Sequence, residues 1–216
     1  MRIDIWSDVA CPWCYVGKRN LETALAELDL DEVEIRWRAF ELDPTAPPST
    51  TRSMSEILSA KYHVPLEQAV EMNQQMTAMA ASVGLEYHLD AVQLGNSFDA
   101  HRLAKMAEEA GQGEEAAEAL FAAYFTEGRR LSDHDVLVDI GSGLGLDTEE
   151  IASMLDSDRY AEDVRADEAM AQEAGFTGVP TYVIDGRFAI PGAQPPETLI
   201  RLLGKVAAGV TDPSQL

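Results

Sequence analysis

Two cysteines three residues apart, Cys11-Pro12-Trp13-Cys14, are the side chains of this sequence hardest to read as mere packing, and the chain has no others. A loop this short constrains the unfolded chain little, so a bond across it adds little stability. On the first turn of a helix, however, residues i and i+3 share a face, and a disulfide there opens and closes with little backbone movement. That spacing suits thiol–disulfide exchange. Pro12 fits the first helical position, where the missing N–H is no loss. Cys11 then stands at the helix N-terminus, where exposed amides and the helix dipole favour a thiolate, the species that attacks disulfides. Cys11 is read as the nucleophile and Cys14, one turn deeper, as the resolving thiol. Trp13 between them is expected to be partly exposed and to meet substrate. A zinc site needs about four ligands. There is no second cysteine pair, and His63, His88, His101 and His134 show no ligand spacing with one another, so no metal is expected. An inert core pair is the remaining alternative, and proline and tryptophan at a strand-to-helix junction argue against it.

The elements around the pair can be read from periodicity. Ile3-Asp4-Ile5-Trp6 forms a short strand, and Ser7-Asp8-Val9-Ala10 the loop into the cysteine helix, whose Val16, Leu21, Ala24, Leu25 and Leu28 recur at helical spacing. Residues 33–39 alternate with period two, a second strand. Asp43-Pro44 and the run Pro47-Pro48-Ser49-Thr50-Thr51 break the pattern. From there to about Gly175 the pattern is almost wholly helical, with stripes over residues 66–83, 103–110 and 117–124 closed by Gly84, Gly111 and Gly128. Ser132, with Asp135 three residues on, resembles a helix-starting cap. Two more helices are expected over residues 148–155 and 158–174. Met72, Met76 and Met79 read as core rather than as a binding wall, and His101 as a packed histidine. Gly141-Ser142-Gly143-Leu144-Gly145 follows no strand and reads as a turn between helices. Strand character returns in Thr181-Tyr182-Val183-Ile184. Asp185-Gly186 is a hairpin signal, Phe188-Ala189-Ile190 the return strand, and residues 196–208 a last helix. The class is α/β, a mixed sheet wrapped by helices. A helical subdomain at 45–175 is inserted between the second and third strands of a unit formed by 1–44 and 176–216.

Bulk properties narrow the function. The 216 residues, 46% hydrophobic and 25% charged, suit a globular chain with a sizeable core, leaving only residues 211–216 as candidates to stay outside it. A net charge of −22 repels phosphate backbones and anionic membranes, so neither nucleic acid nor a membrane is an expected partner. The acidity reads first as a well-solvated surface. No apolar stretch approaches the ~20 residues that span a bilayer. The first residues enter a strand pattern with no basic-then-apolar leader, which points to the cytoplasm. The pattern implies no particular oligomeric state.

Before the third strand lies Gly178-Val179-Pro180-Thr181. Proline is permitted at the head of a strand, and a cis Val179–Pro180 bond there would offer the Val179 backbone to an extended peptide. With this segment the sequence resembles a known family. Cys11-Pro12-Trp13-Cys14-Tyr15-Val16-Gly17, Asn96-Ser97-Phe98-Asp99-Ala100-His101, Gly178-Val179-Pro180-Thr181 and Phe188-Ala189-Ile190-Pro191-Gly192-Ala193-Gln194 are similar to the FrnE-like branch of DsbA oxidoreductases, over nearly the whole chain. The resemblance implies a thioredoxin fold with an α-helical insertion, a cis proline at Pro180 and disulfide exchange at Cys11/Cys14. Pro12, Trp13, Val179 and Pro180 would touch a disulfide- or thiol-bearing protein or peptide. No cofactor is implied beyond the Cys11–Cys14 disulfide, with glutathione as a potential co-substrate. The wider family includes glutathione-dependent 2-hydroxychromene-2-carboxylate isomerases and kappa-class glutathione transferases, which typically carry serine where this chain has Cys11. That chemistry is the alternative reading, and the retained dithiol disfavours it. A non-catalytic interaction protein using the helical insertion is a further rival. Some FrnE-like proteins carry additional cysteines; this chain does not.

Overall fold

A computed structural model describes residues 1–30 and 32–212, so the expectation for residues 211–216 lies outside the described residues from position 213 onward. Among them are four strands and nine helices. In chain order these are β1 (Arg2–Ser7), α1 (Pro12–Leu28), β2 (Glu34–Ala39), α2 (Met54–Tyr62), α3 (Leu66–Ser82), α4 (Phe98–Glu109), α5 (Gly113–Phe125), α6 (His134–Gly143), α7 (Thr148–Leu155), α8 (Ala161–Glu173), β3 (Thr181–Ile184), β4 (Phe188–Pro191) and α9 (Pro196–Ala207). The sheet order is β2-β1-β3-β4. β1 and β2 are parallel, joined through α1, whereas β3 runs antiparallel to β1 and β4 antiparallel to β3.

Side-chain alternation along β1 sorts the sheet into two faces. Ile3 and Ile5 pair laterally with Ile184 and Tyr182 of β3. They form one apolar cluster with Leu21 and Ala24 of α1, Phe188 and Ile190 of β4, and Leu199, Leu202 and Leu203 of α9. On the other face Asp4 and Trp6 meet α8. Arg38 of β2 donates to Asp4 Oδ1 at 2.7 and 2.9 Å and to Asp167 Oδ1 at 3.2 Å. Asp167 Oδ2 accepts the Ala39 amide at 3.0 Å, and its carbonyl accepts Trp6 Nε1–H at 2.8 Å. Trp6 also packs edge-on against Phe176, with centroids 5.2 Å apart.

The chain divides into two compact units, residues 1–42 with the chain from Arg165 onward, and Asp43–Val164. The insertion read from sequence as 45–175 therefore ends earlier, inside α8, because Asp167 and Phe176 are tied to the sheet by the contacts above. In the helical unit, Leu103 of α4, Leu120, Phe121 and Phe125 of α5, and Leu137 of α6 are fully buried. Arg102, also buried, caps the end of α7 by donating to the carbonyls of Met154, Ser157 and Arg159 while pairing with Asp99 at 2.7 Å.

Four local features differ from the sequence reading. The N-cap of α6 is Asp133, whose carboxylate accepts the Asp135 amide at 3.1 Å, while the Ser132 hydroxyl is used on the Pro48 carbonyl. Helix α2 starts with a full capping box between Ser53 and Glu56, a Ser-x-x-Glu signal outside the periodic stripes. Of the three methionines on α3, Met76 is buried, Met72 half-buried and Met79 exposed. The hairpin turn does use Asp185 and Gly186, both at positive φ, but Arg187 adds a third residue before β4 begins to pair.

Candidate active site

Polar contacts fix the loop after β1. The Asp8 carbonyl accepts the Cys11 amide at 3.0 Å, and its carboxylate accepts the amides of Ala10 and Leu42 at 3.0 and 2.7 Å. Cys11 is the N-cap of α1 in an extended conformation, with Pro12 in the first turn, and the Cys14 amide closes that turn onto the Cys11 carbonyl at 3.0 Å. Both cysteines are free thiols, Cys11 4% and Cys14 1% exposed. Trp13, between them, is 45% exposed and Pro12 half-buried.

The two sulfurs occupy different environments. Burial pushes the Cys14 thiol well above its ordinary range. Its hydrogen bond to Cys11 and the proximity of charge there act in the same direction. The Ser7 hydroxyl and the Asp8 backbone N–H pull the other way without offsetting them. Cys14 accordingly holds its proton and donates it towards Cys11. Ser7 can reach this sulfur because it lies on the same face of β1 as Ile3 and Ile5, beneath α1.

The chain before β3 forms the opposite wall. The Val179–Pro180 peptide is cis, and Cys11 Sγ lies 3.7 Å from the Val179 carbonyl oxygen. Thr181 Oγ1 donates to the Gly178 carbonyl at 2.9 Å and the Gly192 amide to the Pro180 carbonyl at 2.7 Å, which pins this segment between β3 and β4. Alongside it runs an open groove of about 540 Å³, lined among others by Phe176, Thr177, Gly178, Val179 and Pro191. Cys11, Cys14, Val179 and Pro180 thus come together, while Trp13 projects outward beside them.

Ser7, Asp8, Gly17 and Tyr182 belong to the same site and were not singled out from sequence. Gly17 is buried in α1, and a Cβ there would lie 2.4 Å from Tyr182 Oη and 3.0 Å from Pro180 Cγ. Glycine inside a helix is disfavoured unless something approaches closely, and that was the available signal. His101 is buried in α4 within the helical unit, and the Gly141–Gly145 run is the end of α6 and its turn. Among the described residues no group of three histidine, cysteine or acidic side chains is placed to hold a metal ion, and no helix is long and apolar enough to cross a membrane.

Comparison with known proteins agrees with this architecture. A family model described as a DSBA-like thioredoxin domain matches residues 2–204. The uncharacterized protein YwbO of Bacillus subtilis (strain 168) is 31% identical over 198 residues, covering 89% of this chain and 90% of that protein. The crystal structure of a probable DsbA oxidoreductase, SCO1869 from Streptomyces coelicolor, superposes with a TM-score of 0.93 at 40% identity over 98% of this chain and 92% of that one. The cytosolic disulfide reductase DsbM from Pseudomonas aeruginosa with GSH shares the fold, with a TM-score of 0.64 at 20% identity over 96% of this chain and 100% of that chain. The mixed sheet, the α1 dithiol turn and the helical insertion are those of a thioredoxin fold, and the chain belongs to the DsbA-like thioredoxin domain family.

Proposed function

We propose that this protein is a thiol–disulfide oxidoreductase of the FrnE-like branch, acting through Cys11 and Cys14 in the cytoplasm. One observation carries the reading. Cys11 caps α1 with its sulfur against the Val179 carbonyl, while Cys14 is buried behind it with its proton held. The Cys11 thiolate attacks one sulfur of a substrate disulfide and expels the other as a thiolate, leaving a mixed disulfide. Cys14 loses its proton and attacks Cys11, the Cys11–Cys14 bond forms, and the second substrate sulfur departs. Two electrons have then moved from the enzyme dithiol to the substrate, and the reverse sequence oxidises a substrate dithiol. An extended substrate segment would lie against Val179 and Pro180, with Pro12 and the exposed Trp13 on its other side. Glutathione is the small thiol proposed to regenerate the enzyme, a reading supported by the DsbM structure with GSH. No other cofactor is needed.

Redox titration in glutathione buffers tests the assignment, with the two thiols read by alkylation and mass and tryptophan fluorescence as a second probe. The expected result is one reversible two-electron transition between about −270 and −120 mV, the span of comparable enzymes. Thiols that never pair, or that only take up a single glutathione, would refute it. Glutathione-dependent activity surviving loss of Cys14 would transfer the protein to the isomerase or transferase reading.

A further inference from the structure

Asn20 is a buried side chain on α1, 6% exposed, that the exchange chemistry above does not use. Its Nδ2–H donates to the Gln194 carbonyl at 3.0 Å, across 174 positions of sequence. Asparagine is mostly exposed in folded chains, so a buried one is read by what it holds. Gln194 lies in the short connection between β4 and α9, and it closes that turn twice. Its backbone N–H donates to the Gly192 carbonyl at 2.9 Å, and its side-chain Nε2–H to the Pro191 carbonyl at 2.6 Å. Gly192, at φ +78°, in turn gives its N–H to the Pro180 carbonyl at 2.7 Å. A continuous tie therefore runs from α1 through the turn to the proline of the wall that faces Cys11. Gly17 stands three residues before Asn20 and Cys14 three before that, so all three lie along one side of α1. Pro180 Cγ is 3.0 Å and Ala193 Cβ 3.5 Å from where a Gly17 Cβ would stand, so wall and turn both rest against that side of the helix.

We propose that Asn20 is a positioning residue for the exchange reaction: by holding the 191–194 turn against α1, it fixes how far the Val179–Pro180 wall stands from Cys11. The idea rests on the exchange reading of the site and assigns no proton or electron to Asn20. At one end of the arrangement the Cys11 sulfur lies 3.7 Å from the Val179 carbonyl oxygen; at the other end is the Asn20 bond. The geometry of Cys11 itself is set locally, its amide held by the Asp8 carbonyl and its own carbonyl by the Cys14 amide. Loss of the Asn20 bond therefore leaves Cys11 its intrinsic reactivity and loosens the wall. A substrate that lays an extended backbone along Val179 and Pro180 feels that change, and a small disulfide that meets only the sulfur does not. The tie from Asn20 to Gln194 thus favours extended peptide disulfides over small ones.

The test compares second-order rates of the reduced protein with an extended peptide disulfide and with Ellman's reagent, whose first released thionitrobenzoate reports attack by Cys11. Asn20→Leu keeps the size of the side chain and removes the donor. Its peptide rate should fall about three- to tenfold, as expected for one lost hydrogen bond, while its Ellman rate stays within about twofold of the parent. Amide exchange at Gly192, read by NMR, should quicken in the same variant, because the turn that orients this N–H towards Pro180 has lost its anchor. Gln194→Met removes the side-chain bond to the Pro191 carbonyl and should lower the peptide-to-Ellman ratio too; it carries the comparison should Asn20→Leu fail to fold. A ratio equal to the parent's in a folded variant, whether both rates persist or both fall alike, would overturn the proposal. So would a lowered ratio with Gly192 exchange unmoved. A parent protein that attacks neither disulfide would instead overturn the exchange reading itself.

Discussion

Replacing Gly17 by alanine sets helix propensity against packing, and the structure decides the sign. Alanine inside a helix is favoured over glycine by about 0.5–1 kcal/mol, so propensity alone predicts a gain. The new methyl, however, would stand 2.4 Å from Tyr182 Oη and 3.0 Å from Pro180 Cγ, with Ala193 Cβ at 3.5 Å. Tyr182 cannot swing aside, because its ring is packed in the apolar cluster and its backbone is paired with Ile5. Overpacking of this kind costs about 1–3 kcal/mol, and two close neighbours argue for the upper part of that range. The expected net loss is about 1–2 kcal/mol, equivalent to a fall in Tm of roughly 2–8 °C for a chain of this size. Pro180 is one of the two groups pushed, so the rate of Cys11 attack on a peptide disulfide should fall as well. Urea denaturation of the parent, Gly17→Ala, Tyr182→Phe and the double variant forms a thermodynamic cycle. Removing Oη takes away the nearer clash, so the alanine should cost at least about 1 kcal/mol less in the Tyr182→Phe background. A Gly17→Ala protein more stable than its parent, or an alanine cost indifferent to residue 182, would refute the packing argument.

Other consequences can be measured directly. Cys14→Ser should accumulate a mixed disulfide with glutathione detectable by mass, whereas Cys11→Ser, with its remaining thiol 1% exposed, should form almost none; the reverse pattern would exchange the two roles. Because the Cys14 pKa is raised, its thiolate fraction grows with pH throughout the range below that pKa. Disulfide closure should accelerate about tenfold per pH unit from neutrality upward, and a flat profile would mean that Cys14 is ionised at neutral pH. Arg38→Met removes the cation between Asp4 and Asp167, which are 3% and 2% exposed. Asp4 keeps Arg2 at 2.9 Å and Asp167 keeps the Ala39 amide at 3.0 Å, so losing the shared cation should cost up to about 3 kcal/mol in urea denaturation, the lower end for a broken buried pair. Arg38→Lys should recover only part of that, since one ammonium lacks the planar fork that reaches both acids.

The dithiol turn was legible because its chemistry is local: two cysteines, a proline and a preceding strand specify a helix N-terminus within a dozen residues. The strands were legible for a similar reason, since Ile3, Ile5, Tyr182 and Ile184 keep a period of two that survives any tertiary context. What sequence did not show depends on partners distant in the chain. Asp167 reads as one more acid on an amphipathic helix until Arg38 and the Ala39 amide are seen to converge on it from more than 120 positions away. That convergence is what moves most of α8 out of the insertion. Ser132 and Asp133 are adjacent candidates for the same cap, and only the Pro48 carbonyl, which takes up the serine, decides between them. Gly17 and Tyr182 are each unremarkable alone; the glycine explains itself only once the phenol is known to lie against it.

That last pairing follows from the shared direction of two elements. α1 lies antiparallel to β1 across a β-α-β crossover, and β3 is antiparallel to β1, so α1 and β3 travel in the same direction. Six residues of helix, Cys11 to Gly17, advance about 9 Å at 1.5 Å each. From Val179, two residues before β3, the chain reaches Tyr182, the second residue of that strand, in three steps. A helix that starts with Cys11 against Val179 brings Gly17 over Tyr182. Cys14 falls midway, between the wall that receives Cys11 and the phenol at the far end. A one-residue slip in β3 would turn residue 182 to the α8 face. Register, rather than any single contact, thus sets the Gly17–Tyr182 approach one helical turn beyond Cys14.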